Sequence, residues 1–150
     1  MITESLRSLY NRDLDKLKTE LEAYQNEENL WKTDKNIANS TGNLVLHLVG
    51  NLNHFIGAQL GNTGYVRQRD LEFSLKDIPK AELIEKVKAT AAMIDSVLSQ
   101  LSDEDLKKEY PLVVFESAMT TDYFLIHLLT HLGYHLGQIN YHRRLLDNRL

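Results

Sequence analysis

The chain has 150 residues, no cysteine, and a formal net charge of −4 from 17 basic and 21 acidic side chains. This length suits a single domain spanning residues 1–150 around one sizeable core. Disulfides and thiolate metal sites are excluded, and no Lys/Arg run exceeds two residues, so the basic stripe of a nucleic-acid binder is missing. No apolar run reaches the roughly 18 residues of a membrane-span candidate. The N-terminus is charged from Glu4 and lacks the apolar stretch of a signal peptide. The expectation is a cytoplasmic protein with neither nucleic-acid nor membrane partners.

Four helical patterns follow in chain order. The first runs from about Thr3 to Tyr24, with Leu6, Leu9, Tyr10, Leu14, Leu17, Leu21 and Tyr24 at spacings of three and four. The second starts at Ser40 or Thr41, both good N-caps, and runs to about Gly61, read as its C-terminal glycine. The third follows Asp77-Ile78-Pro79 and runs from Lys80 to about Leu101. The fourth starts near Thr120 or Thr121 and ends around Leu146, where Arg143 and Arg144 complement the helix dipole. No segment alternates with the period of a strand. The fold class is therefore all-α, a four-helix bundle.

The connections set the topology. Segments 62–79 and 102–119 exceed the roughly 2–8 residues usual between bundle helices. A long connection can climb the length of a helix, so the second and third helices are expected to run parallel. A short turn at Ser102–Leu106 and an extended piece around Tyr110–Phe115 are expected in the second connection. Arg67 and Arg69 read as local ion-pair partners of Asp70 and Glu72, and Trp31 as a packing anchor.

The second helix carries an apolar arc (Leu44, Val45, Leu48, Val49, Leu52, Phe55, Ile56) beside a polar stripe of Asn43, His47, Asn51, His54 and Ala58. No charged residue occurs from Thr41 to Tyr65. Solvated helix faces are usually supplied by Lys and Glu, so this stripe reads as the lining of a cavity. On the fourth helix His127, His131 and His135 recur every four residues, about one turn, and stack on one face. Tyr134, Gln138, Tyr141 and His142 fall on the same arc, which is expected to face the interior or a cleft.

Two imidazoles one turn apart can close on one metal ion. His131 and His135 form the first such pair, and His47 and His54 compete to supply a third ligand. Three neutral imidazoles leave open coordination positions, the arrangement of a catalytic rather than a structural site. Imidazole suits Zn, Ni and Fe alike, so the divalent ion is not specified. Neither the Glu-x-x-His pairs of di-iron bundles nor HExxH occurs.

The segment Leu129-Thr-His131-Leu-Gly-Tyr-His135-Leu-Gly137-Gln138-Ile139 resembles the signature of the DinB/YfiT-like superfamily, and Leu46-His47-Leu-Val-Gly-Asn51 resembles its second-helix motif. The resemblance implies a bundle running up-down-down-up, with His47 as the third ligand. Family members often carry arginine before the Gly-Gln pair, where this chain has Leu136. His54 and His127 are then expected near one level of the bundle, as groups lining the cavity or supporting the ligands. Tyr134 and Gln138 are expected to orient ligands or touch substrate. The implied function is a metal-dependent transferase or hydrolase acting on a small molecule, with S-transfer from a low-molecular-weight thiol as one form. A homodimer is implied too. The alternatives are a non-catalytic dimer serving as a binding or stress-response module, and a metal sensor or storage protein.

Overall fold

A computed structural model gives the architecture and describes residues 1–147. Helix α1 (Ile2–Ala23) leads through a 3-10 turn (Glu27–Trp31) into α2 (Thr41–Leu52), which widens into a π-helical stretch (Asn53–Ala58) and closes with one turn, α3 (Gln59–Gly61). A short α4 (Arg69–Ser74) precedes α5 (Lys80–Ser99), and a five-residue α6 (Asp103–Lys107) precedes α7 (Thr121–Leu146). Among the described residues the one extended pairing is an isolated bridge between Glu109 and Thr120. The long helices α1, α2, α5 and α7 form the all-α bundle. Ser40 is the cap of α2, its hydroxyl accepting the Asn43 N–H at 3.2 Å.

Side-chain pairs give the helix directions. Tyr10 donates to the Leu125 carbonyl at 2.6 Å and Asn140 to Glu20 at 2.6 Å, so α1 and α7 run parallel. Arg7 pairs with Asp95 near the end of α5, whereas Lys80 at its start reaches the Tyr24 carbonyl; α1 and α5 are antiparallel. Asn53 donates to Thr90 at 2.9 Å, and Gly61 abuts Val97, so α2 and α5 run parallel. Thr41 lies opposite His142 and Phe55 opposite Phe124, so α2 and α7 are antiparallel. The order is up, down, down, up.

The core is a continuous apolar cluster that includes Leu14, Leu17, Leu21, Leu48, Leu52, Ile94, Leu98, Phe124 and Leu132, all essentially inaccessible. Trp31 packs on α2 over Gly42, where a Cβ would come within 2.6 Å of the indole ring. At the far end the Asp147 carboxylate accepts from the backbone N–H groups of Gln25 and Asn26 and from Asn29. Burial alone would push the Asp147 carboxyl up, but those hydrogen bonds and Arg143 hold it below its usual range.

Three expectations need correction. The left-handed residue ending the α2–α3 helix is Asn62 (φ 49°), a residue type that tolerates this conformation, and not Gly61. Gly61 instead allows close approach to Val97, whose side chain a Cβ would overlap. The 62–79 connection holds α4, a helix too short for periodicity to reveal; hydrogen bonds from Asn43 to the carbonyls of Glu72 and Leu75 tie it to α2. Finally, α7 is not interior on most of its faces. Tyr123, Tyr134 and Tyr141 are all at least 60% exposed, because a tyrosine can keep its hydroxyl in water while its ring covers apolar neighbours.

Candidate metal centre

Three histidines meet where α2 faces α7. His47 is buried in the second turn of α2, and His131 and His135 lie half-buried on successive turns of α7. His131 Nε2 lies 3.3 Å from His47 Nε2 and 3.1 Å from His135 Nε2. One nitrogen from each ring falls within 4.8 Å of the others, and among the described residues no further His, Asp or Glu joins the group. Nitrogens held at about 2.0–2.1 Å from one zinc ion lie roughly 2.9 Å apart in octahedral cis positions and about 3.3 Å apart in a tetrahedron. The observed separations fit a single ion.

The second nitrogens explain the convergence. His47 Nδ1 lies 3.0 Å from Glu72 Oε1, and His135 Nδ1 lies 2.7 Å from Gln138 Oε1. Each Nδ1–H donates to its oxygen, which leaves a bare lone pair on each Nε2. His131 Nε2 faces both lone pairs and can donate a proton to only one. A cation resolves the crowding. A proton is a poor candidate for it: burial, then His135, His47, His127 and Arg67, push the His131 imidazole down to about 4. Burial also lowers His135. His131 and His135 are therefore held as neutral donors for a divalent ion. His131 Nδ1 is buried without a hydrogen-bond partner among the described residues.

Aromatic rings wall the cluster. Phe73 lies 5.0 Å from His47 and Tyr134 5.4 Å from His135, centroid to centroid. Tyr134 thus meets a ligand ring edge-on from an exposed position, whereas Gln138 makes the orienting hydrogen bond. His54 and His127 lie outside the cluster. His127 packs against Phe115 and Phe124, and His54 against Phe55, which itself touches Phe124. Burial, then the positive charge of Arg67, lowers the His54 imidazole. His142, two turns beyond His135, is out of reach and lies 3.5 Å from Thr41.

Glu72 is the residue whose part the sequence did not reveal. Arg67 pairs with it as expected, through Nε to Oε2 at 2.8 Å and Nη2 to Oε1 at 3.0 Å. Its contact with His47 was not anticipated. The available signal was an acidic residue in an otherwise unexplained long connection. Burial pushes the Glu72 carboxyl up, but hydrogen bonds from His47 and Arg67 outweigh it and hold the group below its ordinary value.

The all-α bundle presents the three histidines from its second and last long helices. The family model described as "Protein of unknown function (DUF1572)" matches residues 4–149; the chain belongs to that family, which is DinB-like. No curated protein matches the chain. Among solved structures it is similar to a DinB-like protein from Bacillus cereus ATCC 10987, with a TM-score of 0.73 and 16% identity over 94% of this chain and 90% of that one. At that identity the likeness shows the fold.

Proposed function

We propose that the protein is a divalent-metal-dependent enzyme acting on a small molecule, with His47, His131 and His135 as ligands to zinc, nickel or iron. The observation that carries the reading is the convergence of three Nε2 atoms whose rings donate their other proton elsewhere in two of three cases. A divalent ion bound there supplies Lewis acidity, lowering the pKa of a bound thiol or water. The chain's own part would be to present three imidazole nitrogens from two helices to the ion, leaving further coordination to substrate or water. S-transfer from a low-molecular-weight thiol to an electrophile is the favoured reaction, and hydrolysis uses the same chemistry. Thiols of this kind stay reduced in the cytoplasm, which is the setting this reading assigns.

The test follows consumption of a thiol such as glutathione or cysteine by a chlorodinitrobenzene electrophile, with and without added Zn(II). Metal-dependent turnover that disappears in His131→Ala supports the enzyme. Turnover equal to that of His131→Ala would favour the non-catalytic binding module instead.

The lowered His131 and His135 pKa values make a pH prediction. A depressed pKa means that protons compete with the metal only at lower pH than for an ordinary histidine near 6.5. Zn(II) affinity should therefore stay nearly constant from about pH 8 to below pH 6.5, and its fall should steepen as the pH approaches about 4, where His131 takes up its proton. The limiting slope of log affinity against pH approaches about three, one unit per imidazole. A titration that stays flat to about pH 3, below the range in which all three imidazoles protonate, would rule out histidine ligation.

We also propose a homodimer. It is motivated by Val113 and Phe115, exposed in the 102–119 connection, and by Tyr134, Tyr141 and Leu145, exposed along α7. Val114 and Phe73 pack inward and do not contribute. Light scattering at micromolar concentration should give twice the 17.3 kDa of one chain. A single-chain mass would count against the dimer.

A further inference from the structure

Three neutral imidazoles do not of themselves require a carboxylate behind His47, yet Glu72 is placed there at some cost. It is 5% exposed, and removing a carboxylate from water is expensive unless it is paired and hydrogen-bonded. Three separate features hold it. Arg67 binds both of its oxygens. Asn43 on α2 donates to the Glu72 carbonyl at 3.0 Å and to the Leu75 carbonyl at 2.9 Å, fastening α4 to the helix that carries His47. Gly50, three residues beyond His47, leaves the space the carboxylate fills. A Cβ at Gly50 would overlap Glu72 Oε2 and come within 2.6 Å of Cδ and 3.3 Å of Cγ.

We infer that Glu72, seated against Gly50 and neutralised by Arg67, is a positioning residue for His47 that fixes its Nδ1–H tautomer and aims Nε2 at the metal. The inference rests on the three-histidine reading and adds the groups that prepare one ligand. A carboxylate hydrogen-bonded to a ligand imidazole raises its basicity and fixes its ring. The Arg67 pair restrains the carboxylate on the Nδ1 side and offsets its charge. Gly50 also departs from helix propensity, since alanine is the better helix former at an interior position. A role confined to α2 would make Gly50→Ala harmless.

The experiment compares wild type, Glu72→Gln, Glu72→Ala, Gly50→Ala and the Gly50→Ala/Glu72→Ala double variant, each first checked for folding by thermal melting. Zn(II) affinity is measured by chelator competition, and the His47 tautomer by nitrogen-15 NMR of the metal-free protein. Glu72→Ala should lower affinity about 10–100-fold, the usual effect of losing such a partner, and Glu72→Gln, which still accepts the Nδ1–H, should lose less. Gly50→Ala should weaken binding alone but add nothing in the Glu72→Ala background, because the three crowded atoms are then gone. His47 should be the Nδ1–H form in wild type and shift toward Nε2–H in Glu72→Ala. Unchanged affinity and tautomer in Glu72→Ala, or fully additive losses in the double variant, would overturn the inference. If wild type binds no Zn(II), the metal reading fails, while the tautomer measurement still decides whether Glu72 positions His47. Should Glu72→Ala not fold, Glu72→Gln and Gly50→Ala carry the same test.

Discussion

His131→Ala is expected to lower Zn(II) affinity roughly a hundred- to a thousandfold, about 2.5–4 kcal/mol, the share of one ligand in a four-ligand zinc site. His131 is the hub of the cluster, with its Nε2 at 3.3 Å from that of His47 and 3.1 Å from that of His135. Removing it leaves two imidazoles on different helices with no third donor to complete a face. His47→Ala should have a comparable effect. His54→Ala should leave stoichiometry unchanged, because that ring packs against Phe55 rather than joining the three nitrogens. Calorimetric titration of the three variants separates these outcomes. Equal losses in His54→Ala and His47→Ala would mean that the ligand set is wrong.

The largest expected effect on stability lies about two turns from His131. Phe124 is 1% exposed, and its ring meets Phe55 at 5.0 Å, Tyr110 at 4.5 Å, Phe115 at 6.1 Å and His127 at 5.9 Å. Phe124→Ala removes a full ring from that cluster and leaves a cavity between α2 and α7, costing about 3–5 kcal/mol. For a chain of this size each kcal/mol moves the melting temperature by about 2–4 °C, so a drop of roughly 6–20 °C is expected. Metal added in excess should recover part of it, since a ligand bound only to the folded state stabilises by mass action. A drop under about 2 °C would show that the cluster relaxes around the gap.

The pair on α7 was legible because its geometry is local: residues four apart share a helix face wherever the helix packs. His47 was legible only in combination. An uncharged stripe on the second helix marked both His47 and His54, and the second-helix motif favoured the first. The packed helices bring His47 to His131 and leave His54 at the level of Phe55 and Phe124. Glu72 was not legible as a partner of His47, because that contact spans 25 residues and depends on α4 docking through Asn43. The π-helical stretch after Leu52 was also invisible, since apolar spacing does not distinguish one wide turn from a regular one. His142 and Tyr134 share the arc but are placed differently. His142 lies two turns beyond His135, against Thr41, whereas the exposed Tyr134 keeps its ring 5.4 Å from that of His135.

The most direct test of the metal centre is elemental analysis of protein purified without a histidine tag, reconstituted with Zn(II) and freed of excess metal, beside the His47→Ala/His131→Ala/His135→Ala triple variant. One ion per chain in wild type and close to none in the folded triple variant is the predicted result. Substoichiometric metal in reconstituted wild type, or equal metal in both proteins, would contradict the three-histidine centre.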